Sequence, residues 1–85
     1  MNDEVKVLDL GEAAALVTAG WHMTRMDQAR NGRHKVFVFS ADEVAVEACL
    51  GQYRNADLQV NASTYFRAIK DIKKRIHDMN DLAEA

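Results

Sequence analysis

The stretch WHMTRMDQARNGRHKVFVFS, residues 21 to 40, decides how this chain folds. Asn31 and Gly32 lie at its middle, and Asn-Gly is the strongest short-range hairpin signal, because a type I′ turn needs positive φ at both central residues. The flanks WHMTRMD and HKVFVFS are rich in aromatic and β-branched side chains, which favour extended chain. With Asn31 and Gly32 as the turn, the opposed pairs run Gln28–Lys35, Asp27–Val36, Met26–Phe37, Arg25–Val38 and Thr24–Phe39. One face of the ribbon then carries His22, Thr24, Met26, Phe37 and Phe39, and the other Trp21, Met23, Arg25, Val36 and Val38. Both faces are substantially apolar, so the expectation is a ribbon covered on both sides, by the chain's own helices or by a second copy.

Outward from the hairpin, helix punctuation takes over. Before it, Asp9 and Glu12 have the spacing of a capping box, LGEAAALVTA follows as a helix, and Gly20 stands where a left-handed C-cap would end it. After it, Ser40 and Glu43 form a second capping box, opening a helix through SADEVAVEACLGQY. Val46, Cys49, Leu50 and Tyr53 make one apolar stripe there, and Gly51 is expected near the end. RNADLQV reads as a loop or a short strand anchored by Leu58 and Val60, and Asn61 or Ser63 caps the last helix. Along that helix Tyr65, Ile69, Ile72, Ile76 and Met79 recur at four, three, four and three residues, the spacing of a helix–helix seam, joined by Phe66 and Leu82. The expected fold is α+β: helix, β-hairpin, helix, a short strand or loop, and a long C-terminal helix. One domain covers residues 1–85, with a core over about 8–77 and frayed ends at 1–5 and 83–85.

Composition bounds the function classes. A chain of 85 residues buries only about 60–65% of its unfolded surface, so a partner subunit would help it. Cys49 is the lone cysteine, which excludes an internal disulfide and suits a reducing, cytoplasmic setting. The start MNDEVKVLDL has no basic or long apolar stretch of a secretory signal, and no apolar run reaches the roughly 18–20 residues of a membrane span. Eleven basic against thirteen acidic residues give −2, no general attraction to DNA or anionic lipid.

Two surfaces stand out. Arg67, Lys70 and Lys74 share a face of the last helix, with Lys73 and His77 on a neighbouring strip. With Arg30, Arg33 and Lys35 at the hairpin tip they form a candidate face for nucleic acid or an acidic partner. The simplest reading of such a charge run is a solvated face. The apolar seam spans about 24 Å from Arg67 to Leu82, more than a domain this small readily covers. Trp21, Phe37, Phe39, Ile72, Ile76 and Met79 are therefore expected as core and self-association surface, in a homodimer or other homo-oligomer. His22, His34, His77 and Cys49 lack metal-ligand spacing, so no metal is expected. The glycines form no phosphate loop, Ser40 and Ser63 act as helix caps, and Asp42, Glu43 and Glu47 form an acidic face with two of the three in a first helical turn, so neither catalysis nor a cofactor is expected.

Taken together, LDLGEAAALVTAG, the KVFVF strand and QVNASTYFRAIKDIKK resemble a family of short, uncharacterised domains met in phage, plasmid and bacterial genomes. The resemblance rests on Gly20, Phe37 to Phe39, Val60, Tyr65, Phe66, Ile69 and Lys70, over residues 8 to 77. It implies the same fold and a mobile-element origin, and no activity. The expectation is thus a small intracellular, non-enzymatic, self-associating interaction module, with an accessory nucleic-acid-binding protein as the alternative.

Overall fold

A short strand outside the hairpin completes the sheet. In EVKV, Val5 and Val7 alternate with Glu4 and Lys6, and the period of two turns both valines inward, 7% and 3% exposed, as β1 (Glu4–Val7). The computed structural model describes residues 4–28, 35–56 and 58–84, with side chains described through Met79. The order continues with α1 (Leu10–Ala19), β2 (Met23–Gln28), β3 (Lys35–Ser40), α2 (Glu43–Arg54) and α3 (Ala62–Glu84). This is an α+β fold with a long C-terminal helix, as expected. One expectation is corrected: Glu4 and Val5 do not fray but pair with Ser40 and Phe39. Residues 58–60 form no strand, so of the two readings of that stretch the loop holds. The Asn31-Gly32 turn lies outside the described residues.

The sheet is antiparallel in the order β1-β3-β2, so Phe37, Val38 and Phe39 occupy its central strand. Pairing between β2 and β3 follows the expected register from Gln28–Lys35 through Arg25–Val38. It then breaks: Phe39 faces Met23 rather than Thr24, across a β-bulge. The extra residue reverses the parity of the strand. Met23 turns into the core at 6% exposure, while Thr24 turns out and its hydroxyl donates to the Val38 carbonyl at 3.1 Å. Burying a methionine instead of a threonine favours the bulged register, since full burial of such a side chain is worth about 1.5–3 kcal/mol.

The two faces of the sheet are consequently unlike. The inner face, with Val5, Val7, Met23, Phe37 and Phe39, joins Leu16, Val46, Leu50, Ala68 and Ile72 in one core. α1 is the hub of that core. Ala13, Ala14, Ala15 and Leu16 are all 0% exposed, and the helix touches β1, α2 and α3. Its small side chains let neighbouring backbones come close, as Ala68 of α3 does.

Caps set the helix ends. Asp9 Oδ1 accepts from the Glu12 amide at 2.9 Å, and Gly20 ends α1 at φ 112°, a conformation that favours glycine. α2 is capped by Asp42, whose carboxylate accepts from the Val44 amide, and not by Ser40, which still belongs to β3. Nor does Gly51 stop it. The apolar stripe through Leu50 and Tyr53 carries α2 to Arg54, and Ala56 makes the left-handed turn beyond it at φ 61°. Asn61 caps α3, accepting from the Thr64 amide at 3.0 Å.

Candidate functional site

Two tyrosines clasp the first turn of α1. Tyr65 of α3 donates to the Gly11 carbonyl at 3.2 Å, and a Cβ at Gly11 would overlap the Tyr53 hydroxyl. Burial first, and then the hydrogen bond with Tyr53, push the Tyr65 phenol up to about 12. With the burial of Ala68 and Ile72, this contact sets the rotation of α3 about its axis. Everything the helix shows to solvent follows from it.

On one side α3 meets β2 and the loop before it. Val17, Trp21, Met23, Ala68, Ile72 and Arg75 line a cleft of about 120 Å³ there, with His22 and Asp71 at its edge. Further along, Met26 and Met79 floor a shallower groove of about 330 Å³, flanked by Arg75 and Asp78. The Arg75 guanidinium lies against Met23 Sδ at 3.8 Å. The residues expected to self-associate therefore divide. Phe37, Phe39 and Ile72, at 2%, 0% and 3% exposure, are consumed by the chain's own core and cannot meet a partner, which corrects that part of the expectation. Trp21 and Met79 are half-buried in the cleft and the groove, and Ile76 is half-buried against the core. Methionines suit such a surface, because the unbranched thioether adapts its shape to what it touches.

Around α3 from this groove stands the basic face. Arg67, Lys70, Lys73 and Lys74 are all exposed. Phe66 is exposed too, at 62%, with the Lys70 ammonium 5.2 Å from its ring centroid. The expectation that Phe66 joins the apolar seam is corrected. Tyr65 takes the inward direction, so its neighbour, about 100° further round the helix, faces water. Lys35, expected to extend this face, opens β3 and bonds Gln28 across the hairpin ladder. Arg30 and Arg33 lie outside the described residues, as does His34.

The outer side of the sheet is governed by charge. Arg25 donates to Glu4 at 2.8 Å and to Asp27 at 3.0 Å. Arg25 stands opposite Val38 and Glu4 opposite Ser40, on strands that flank β3, so their bond crosses over the central strand. Beneath it Val38 is 0% exposed, outside the main core cluster. The arginine's hydrocarbon stem can shield an apolar residue while its head stays in water. The bond to Arg25 holds the Glu4 carboxyl below its usual range. On the other flank Arg54 of α2 bonds Glu12 of α1 at 3.0 Å. Burial pushes the Cys49 thiol up, away from the reactive thiolate. Among the described residues no three His, Cys, Asp or Glu side chains gather as a metal site.

What the sequence reading missed had a signal in two cases. Period-two alternation in EVKV marks β1, and the wheel positions of Phe66 and Lys70, four apart, place the ring among the lysines. The pairing of Met26 with the α3 end had none, because it is set by tertiary packing. No helix among the described residues is long and apolar enough to cross a membrane. No curated protein and no solved structure matches the chain. The resemblance to a family of short domains does hold: residues 2–78 match the model of a family described as a domain of unknown function, DUF5659, and the chain belongs to that family.

Proposed function

We propose that this protein is a small, non-enzymatic interaction module that associates with a second copy of itself through the groove between β2 and α3. The observation that carries the reading is the seam of α3 beyond Ile72, where Ile76 is only half-buried against the core and Met79 is left half-exposed in the groove with Met26. The flanking charges are self-complementary. A two-fold axis crossing antiparallel α3 helices between Ile76 and His77 sets residue 75 of one copy against residue 78 of the other, so Arg75 meets Asp78 twice over. A chain of this size gains from such shared burial, because alone it hides a smaller fraction of its surface than a larger domain does. The lone buried thiol of Cys49 favours a reducing, cytoplasmic setting, and an origin in a phage or other mobile element belongs to the same reading. Nucleic-acid binding is a separate reading, favoured by the exposure of Phe66, and it uses another side of α3.

Sedimentation velocity over a range of protein concentrations tests the proposal, with a dimer expected. Ile76→Asp should give a folded monomer. Arg75→Asp and Asp78→Arg should each weaken the dimer, and the double exchange should restore it, a recovery that mere misfolding does not produce. A wild-type protein that stays monomeric at every concentration refutes the reading.

A further inference from the structure

The acids of α3 lie toward one side of the helix, with Arg75 among them. Between Phe66 and Met79 the helix carries two carboxylates, and both are turned toward the groove side: Asp71 edges the cleft and Asp78 flanks the groove. At 100° per residue, Lys73, His77, Phe66, Lys70, Lys74 and Arg67 then fall within an arc of about 120° that contains neither acid. Four permanent cations thus share this side of the helix with one exposed aromatic ring, Lys70 in contact with it, on a protein whose net charge is −2. An ordinary solvated helix face mixes both signs and keeps its rings inside.

The Lys70–Phe66 contact alone does not explain the ring's exposure. A pair four residues apart on an exposed helix contributes a fraction of what burying a phenylalanine would. The first turn, Ala62 to Thr64, adds no acid, so the positive N-terminal end of the helix dipole is not offset there.

We infer that this face of α3 is a binding site for single-stranded nucleic acid, with Phe66 as the platform on which a base stacks and Arg67, Lys70, Lys73 and Lys74 as the phosphate contacts. The ring favours a single strand over a duplex. In a duplex the base faces are already stacked on one another, whereas an unpaired base offers its π-face to an aromatic side chain whatever its identity. Cations at spacings of three and four residues track a flexible polyanion along the helix and need no groove of fixed width. The site is distinct from the self-association groove, so a dimer would display it twice and a monomer once.

Fluorescence anisotropy with a labelled oligothymidine, on the full chain, tests the inference. Binding is expected at low salt, weakening as salt rises with a log–log slope of about −2 to −3, from the roughly 0.7 counterions released per phosphate neutralised on a single strand. Phe66→Ala is expected to weaken binding by roughly 5- to 150-fold, the range for losing one stacked base. The pair Lys70→Gln and Lys74→Gln should flatten the slope by about 1.4. Lys6→Gln, on the outer sheet, should change neither. All these side chains are exposed, and an unchanged far-UV spectrum checks that each variant folds. The inference is overturned if oligothymidine does not bind at low salt, or if Phe66→Ala binds as the wild type does. It is overturned equally if vesicles of phosphatidylserine and phosphatidylcholine, or polyglutamate, bind this face while oligothymidine does not.

Discussion

Replacing Val7 by alanine tests the inward parity of β1 against a control one residue away. Val7 is 3% exposed and pairs with Phe37 on the central strand, so the substitution deletes two buried methyl groups. At about 0.8 kcal/mol per buried carbon, with a further contribution from the cavity left behind, the loss comes to about 2–3 kcal/mol. At roughly 0.05–0.15 kcal/mol per residue, a domain of this length has only about 4–13 kcal/mol in total. Each kcal/mol moves the midpoint of a domain this size by roughly 4–8 °C, so Val7→Ala should lower Tm by about 8–24 °C. Lys6 is exposed on the opposite face, and Lys6→Ala should stay within about 0.5 kcal/mol of the wild type. Urea and thermal unfolding followed by circular dichroism at one protein concentration measure both. Equal effects of the two substitutions would refute the pairing of β1 with β3, since a frayed end cannot tell odd from even positions.

Tyr65→Phe should flatten the alkaline limb of stability. The phenol is pushed up to about 12 in the fold against 10 unfolded, so its contribution is whole below pH 10 and lost as pH rises toward 12, as urea midpoints across that range will show. Glu4 behaves in the opposite sense. Arg25 holds it below the ordinary 4.5, so its share is present above that value and lost as pH falls; Arg25→Ala, or high salt, should remove that slope from acid titrations of stability. The two left-handed positions predict opposite signs: Gly20→Ala, at φ 112°, should cost about 1 kcal/mol or more, and Ala56→Gly, at φ 61°, should gain up to about 1 kcal/mol, both read from urea midpoints.

The hairpin was legible because local chemistry decides it: four opposed pairs from Gln28–Lys35 to Arg25–Val38 follow from placing the turn at Asn31-Gly32. The register failed at Thr24, where a nonlocal demand, room in the core for Met23, outweighed the regular ladder. β1 was hidden by brevity. Four residues with two charges carry too little periodicity to stand out, and the strand exists because β3 offers it an edge. Gly51 misled for a related reason: glycine in a helix costs only about 1 kcal/mol, less than the burial of Leu50 and the half-burial of Tyr53 around it return. Of the candidate surfaces, the basic row was plain from spacing, while Phe66 was misplaced because two adjacent aromatics cannot both face inward and spacing alone does not say which does. The groove was half legible, since Met79 could be named but Met26 opposite it could not.

The clasp of Tyr65 on Gly11, with the burial of Ala68 and Ile72, gives α3 a fixed phase, and with it a reading frame. A single residue inserted after Ile72 would advance everything beyond it by about 100°, bringing Arg75 to the place of Ile76 and Asp78 to that of Met79. Both sides of the rod would be scrambled at once, though no residue had been lost. Descendants of this chain can therefore exchange side chains along the rod one at a time, but can change its length near Ile72 only by whole turns.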